Sequence, residues 1–226
     1  RVLLRLTSER TLWWKSRISC PPKESIHSES APGQVEIVLA YQASPVQLAD
    51  HVVLTRETIT AVAFKHGMKA LYLPKSDPAQ AGNGCHVHMS LRDIETGRNI
   101  FSSTESLGRR RQSFLLGSSK DISPQGQSFM EGILRHLPAL LALTLPTANS
   151  FRRVGKGCWT GHQVGWAFGD KEIPLRVVAN LHSQAWEHFE YKLCDNTANM
   201  YLSLAGILSA GLTGLDQDLE LRASYE

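Results

Sequence analysis

The 226-residue sequence predicts an α+β fold with antiparallel strands rather than a doubly wound parallel sheet. Short β-branched runs alternate with longer amphipathic runs, and Gly, Pro or Asn residues separate them. A long Ser-, Gly- and Arg-rich stretch, residues 104–125, lacks periodicity and reads as a functional loop.

Taken in order, residues 1–25 mix basic and apolar side chains without period 2 or 3.6, and Cys20-Pro21-Pro22 ends any element there. They read as an atypical leader, disordered or misassigned, with an Arg-rich targeting peptide as the alternative. The chain does not start with Met and is expected to be a piece of something longer. The domain proper is expected over 26–226. Val35–Tyr41 is β-branched and predicts a strand. Ser44-Pro45 supplies a capping side chain and a proline suited to the first helical turn. The apolar positions Leu48, Ala49, Val52, Val53, Ile59, Val62 and Ala63 then carry a helix to Gly67. Further strands are expected at 69–73 and 85–91, followed by a turn at Glu95-Thr96-Gly97. Phe129–Leu145 is helical, with Pro138 expected to split it. The next forty residues look irregular; His188–Leu193 is strand-like and Met200–Leu212 is a buried helix.

Composition excludes several classes of protein. Apolar residues make up 42% and charged residues 20%, too apolar for a disordered chain. The apolar run Leu137–Leu145 is far shorter than the roughly 18–20 residues of a membrane span, so no membrane association is expected. Cys20, Cys85, Cys158 and Cys194 include no C-x-x-C pair, which suits reduced thiols in the cytoplasm, with a plastid as the alternative. The net charge of +3 is concentrated in residues 1–25, where six basic residues face two acidic ones. Arg109–Arg111 is the only basic run beyond them, so no nucleic-acid partner is expected.

Four segments hold side chains suited to metals or phosphates. Glu29 and Glu36 flank a Pro-Gly break; hard divalent ions prefer such oxygen ligands, although two solvated carboxylates would look the same. In Ala81–Ser90 the glycines at alternate positions let the backbone approach a ligand. His86 and His88 are two apart on a predicted strand and share a face, as ligands or as structural histidines. Asn149–Arg153 together with Lys171 and Arg176 brings basic groups into an irregular region, where Arg forks suit carboxylates and phosphates or simply meet solvent. Glu190 and Lys192 share a strand face, where an exposed ion pair is the plain account.

Together, and in this order, these segments resemble the catalytic domain of the glutamine synthetase family, closest to its plant nodulin and fungal developmental-protein branch. Ala81–Ser90 fits the family's small-Gly-small-Gly-x-His-x-x-x-Ser signature. Leu73-Pro74-Lys75, His27–Gln34, His136–Ala142 and Asn149-Ser-Phe-Arg-Arg153 add to the likeness. The resemblance implies a curved antiparallel sheet flanked by helices. It also implies glutamine biosynthesis: ATP phosphorylates the side-chain carboxylate of glutamate, and ammonium or another amine displaces phosphate. By resemblance, Glu29 and Glu36 hold one Mg²⁺ or Mn²⁺ and His86 and Glu190 another. His88, Ser90, Lys171 and Arg176 meet ATP, and Gly82, Arg153 and Lys192 meet glutamate. Arg153 and Arg176 are the implied catalytic pair, and a homo-oligomer is implied for the full-length protein.

Departures from the family pattern bear on function. Trp159 stands where ammonia-using members carry a flap glutamate. Ala81 replaces an asparagine, Lys171 and Lys192 replace arginines, and Met200 replaces a proline. Residues 1–25 contain no Glu-x-Glu, so the metal sites are expected to lack further ligands. Three readings follow: a ligase for ammonium or a bulkier amine, a catalytically silent assembly domain, and a nucleotide- or metal-binding regulator.

Overall fold

The computed structural model describes residues 2–7, 25–103, 117–180 and 185–225. The described chain divides into two units. Unit 1 comprises residues 1–86, 143–153 and 194–204, and unit 2 comprises 87–142, 154–193 and 205–226.

Unit 1 is built on a four-stranded antiparallel sheet of β1 (Val2–Thr7), β2 (Ser25–Ser28), β3 (Gln34–Val38) and β4 (Lys69–Leu71), in the order β2-β3-β1-β4. β1 corrects the reading of the first 25 residues as a structureless leader over residues 2–7. Its backbone pairs with β3 on one side and β4 on the other, Leu3 opposite Glu36 and Arg5 opposite Leu71. A strand paired on both edges is held by two hydrogen-bond ladders, so it does not need the alternation that marks a half-exposed strand. The rest of that stretch, 8–24, lies outside the described residues, as does the Arg109–Arg111 run.

Helix α1 (Pro45–Lys65) starts at Ser44, whose hydroxyl accepts from the Gln47 N–H, and has Pro at its first turn as expected. It ends before Gly67, which has φ +67°. Ile59 and Ala63 of this helix pack with Val35 and Ile37 of β3 and with Met68, forming the core of the unit.

Unit 2 holds the second sheet: β5 (Val87–Met89), β6 (Trp166–Phe168), β7 (Leu175–Asn180) and β8 (Ala185–Tyr191), in the order β5-β8-β7-β6. Its pairs are antiparallel except β6–β7, which is parallel. Phe189 of β8 lies against Phe101 and Phe129, and Phe168 against Trp166 and Trp186. Helix α2 (Pro124–Thr144) is unbroken, contrary to the expected split at Pro138. Pro138 is exposed, while Ile133, Leu134, Leu137 and Leu140 are buried. The ring therefore sits on the solvent side, where a carbonyl that loses its partner can turn to water, and apolar burial holds the other side. Helix α3 (Met200–Asp216) runs four residues beyond its predicted end. Among the described residues no helix is long and apolar enough to cross a membrane.

Candidate active site

In unit 1 the glycine-rich segment is pinned by two buried amides. The Gln34 Nε2 donates to the Gly82 carbonyl and to Asn83 Oδ1, both at 2.9 Å. Asn83 Nδ2 donates to the Leu73 carbonyl at 2.8 Å, and the Asn83 N–H to that of Pro74 at 2.8 Å. Gln34 and Asn83 are 3% and 1% exposed, so these bonds satisfy groups that water does not reach. Neither was singled out from the sequence; the amide between two glycines was the available signal.

Arg153 lies along this segment. A Cβ on Gly82 would stand 2.9 Å from the Arg153 Cβ and 2.6 Å from the Pro74 carbonyl oxygen. A Cβ on Gly84 would stand 2.6 Å from both Arg153 Nη2 and His86 Nε2. The glycines are thus required for close approach, as their spacing suggested. Arg153 closes the short 3₁₀ turn Ser150–Arg153 and is 3% exposed, which corrects the solvent-contact reading of that arginine. Its Nη1 donates to the Cys194 carbonyl at 3.3 Å, and its Nη2 to His86 Nε2 at 3.2 Å. A guanidinium can only donate, so the His86 lone pair accepts. Glu36 is buried on β3; Glu29 is partly exposed in the turn between β2 and β3, its N–H donating to the Gln34 carbonyl.

In unit 2 one row of the sheet carries the charged cluster. His88 on β5 is directly opposite Glu190 on β8, and Glu190 is directly opposite Arg176 on β7. Arg176 Nη2 lies 2.7 Å from Glu190 Oε2, Lys192 Nζ 3.5 Å from Oε1, and His88 Nε2 3.7 Å from Oε1. His188 Nε2 and His88 Nδ1 are 3.1 Å apart. The Glu190 and Lys192 side chains are 1% and 4% exposed, so the exposed-pair reading is corrected: this is a buried pair. β7, which the sequence reading left irregular, is what delivers Arg176. Two cations, Arg176 and Lys192, face the Glu190 carboxylate under low solvent access. The Arg176 Nε–H is buried and has no acceptor among the described residues. Such a donor suits an anionic ligand with oxygen acceptors, a phosphoryl group above all. Ser90 follows β5, partly buried.

The fit to a divalent ion is poorer. Among the described residues no group of three or more His, Cys, Asp or Glu side chains comes together to hold one. The Glu190 carboxylate lies between two cations, and the His86 Nε2 faces a guanidinium. The residues described here do not by themselves make a metal cage.

Trp159 lies in the loop after Arg153. It has φ +56°, a conformation that costs an L residue about 1–2 kcal/mol. Its N–H and that of Gly157 donate to Glu172 Oε1 and Oε2 at 2.9 and 3.0 Å. The exposed Lys171 has its Nζ 5.9 Å from the centre of the indole. Unit 2 also holds an open cleft of about 290 Å³ reached by Lys156, His162, Asp170, Glu172 and Tyr225; none of the site residues expected from the sequence lines it.

Comparison with known proteins agrees with the family signature. Residues 19–226 match the family described as glutamine synthetase, catalytic domain. FluG of Emericella nidulans is 33% identical over 199 residues, 88% of this chain and 19% of that protein. The γ-glutamylpolyamine synthetase GlnA3 of Streptomyces coelicolor is 36% identical over 197 residues, 85% of this chain and 38% of that protein. The solved glutamine synthetase of Plasmodium falciparum superposes with a TM-score of 0.76 at 26% identity, over 89% of this chain and 36% of its own. The chain therefore spans less than half the length of these relatives. With residues 19–226 matched and the same α+β architecture in the solved relative, the chain belongs to the glutamine synthetase catalytic-domain family.

Proposed function

We propose that the chain carries the catalytic part of an ATP-dependent carboxylate–amine ligase. In this reading a glutamate carboxylate oxygen attacks the terminal phosphorus of ATP and ADP leaves. An amine nitrogen then attacks the acyl carbon, phosphate leaves, and the nitrogen gives up a proton. The observation that carries the proposal is the buried Arg176–Glu190–Lys192 cluster, whose Arg176 Nε–H has no acceptor among the described residues. That cluster suits the phosphoryl group, whose equatorial oxygens gain charge in transfer. Glu190 orients the Arg176 fork, and Lys192 adds charge without fork geometry. His88 and Ser90 are assigned to the nucleotide. In unit 1, Gly82 and Arg153 are assigned to the glutamate. Mg²⁺ or Mn²⁺ would neutralise the two anions that react. The family pattern assigns Glu29, Glu36, His86 and Glu190 to the ions.

The second part of the proposal concerns the amine. Trp159 puts an indole where a carboxylate would attract and deprotonate ammonium, and a relative 36% identical is a γ-glutamylpolyamine synthetase. We read the acceptor as a primary amine with a carbon chain. The same reading carries a homo-oligomer in the cytoplasm. ADP release by the purified chain with ATP, Mg²⁺ and glutamate tests the whole proposal. Release that requires an amine, and is faster with spermidine than with ammonium, is the expected result. No release with any amine would leave the silent assembly reading standing, and sedimentation would then be the measurement of interest.

A further inference from the structure

The loop that carries Trp159 is tied at two points to one side chain. Both oxygens of Glu172 are used, one by the Gly157 N–H and one by the Trp159 N–H. Alternate backbone N–H groups cradling an anion form a nest, and here the anion belongs to the chain itself. Glu172 is in turn fixed: its own N–H donates to Asp170 Oδ1 at 2.8 Å. Its carbonyl lies so close to Gly161 that a Cβ there would come within 2.9 Å. Trp159 is 46% exposed, so burial of the ring does not account for its left-handed backbone; the carboxylate does.

We propose that Glu172 is a positioning residue that holds the Trp159 indole as a fixed wall of the amine subsite and thereby sets the preference for a bulky amine over ammonium. The inference rests on the ligase reading above. An indole on a glycine-rich loop would otherwise be ordered anew at each binding event, and the brace removes that loss. Lys171 brings positive charge to one side of the ring, which disfavours a substrate ammonium there. The remaining ring surface is left for the amine's methylene chain, so charge is carried beyond the indole.

Two readouts in the full chain test this. In Glu172→Ala the KM for spermidine should rise by about tenfold while kcat changes far less, because misplacing a binding wall mainly weakens substrate capture. Glu172→Gln, which keeps one oxygen acceptor, should fall between the two. The second readout needs no turnover. The emission difference between each chain and its Trp159→Phe partner isolates Trp159, and acrylamide should quench that signal more strongly in Glu172→Ala. An unchanged Trp159 signal, or an unchanged spermidine KM, overturns the proposal. If the parent chain releases no ADP with any amine, the ligase reading fails, and the Trp159 signal alone decides whether Glu172 is the brace. Should Glu172→Ala not fold, Glu172→Gln carries both comparisons.

Discussion

Arg176 and Glu190 face each other across β7 and β8, their nearest nitrogen and oxygen 2.7 Å apart, with the carboxylate 1% exposed. A pair so far from solvent gains much of its value from being intact. Removing Arg176 leaves the Glu190 carboxylate to the more distant Lys192 at 3.5 Å, and removing Glu190 leaves Arg176 and Lys192 without the carboxylate they share.

Arg176→Met should therefore destabilise unit 2 by about 3–5 kcal/mol, read as a lower urea midpoint. Arg176→Met combined with Glu190→Leu should recover part of the loss and not all of it, since the second change also takes the Glu190 carboxylate from the buried Lys192. A double variant no more stable than the single one would show that the pair is not the source of the effect.

Arg176→Lys keeps the charge and removes the fork. If the Nε–H is a phosphoryl donor, binding of a non-hydrolysable ATP analogue measured by calorimetry should weaken by about tenfold or more while the melting temperature falls only modestly. Equal affinity for the analogue in the two chains would place its terminal phosphoryl group elsewhere.

The C-terminal segment is pinned by charge as well. Arg222 Nε and Nη2 donate to Glu131 Oε2 and Oε1 at 3.0 and 2.6 Å, and its N–H to Oε2 at 3.2 Å. Burial pushes the Glu131 carboxyl up, and the hydrogen bonds and charge of Arg222, with the charge of Arg135, outweigh it, so the group sits below its ordinary value. The stabilisation is therefore complete above the ordinary glutamate value and is lost as pH falls through the lower, folded one. Protection from hydrogen exchange at Leu221–Tyr225, taken relative to the intrinsic rate at each pH, should fall in acid, and Glu131→Gln should show low protection already at neutral pH.

Two glycines predict different outcomes. In Gly82→Ala the new methyl meets a backbone carbonyl at 2.6 Å, which cannot swing away, so a loss of about 1–3 kcal/mol is expected. In Gly84→Ala it meets the ends of two side chains, Arg153 and His86. Those can move, so stability should fall less, while the His86 ring resonances in NMR should shift as the Arg153 bond breaks.

Much of this was legible in the residues. Ser44-Pro45 and Gly67 marked α1 because caps are local chemistry, and the alternating glycines of 82–84 marked a close approach that Arg153 fulfils. What stayed hidden depends on partners distant in the chain. β6 has three residues and pairs in parallel with β7, too short for a pattern to register. The burial of Arg153 depends on acceptors at Cys194 and His86 that spacing does not reveal. The roles of Gln34 and Asn83 exist only because residues 48 and 49 positions apart meet. Pro138 was misread because a helix-breaking residue was judged without knowing which side of the helix faces water.

The placement of β1 has a consequence for how the protein is made. This strand leaves the ribosome before the two strands it pairs with, yet it lies inside its sheet, and one of those neighbours ends at residue 71. During synthesis β3 can pair with it early, but its other edge stays open until β4 emerges, a template for any passing strand. Clipping residues 2–7 afterwards would do more than shorten the chain. It would part β3 from β4 and leave two raw edges where there had been a continuous ladder.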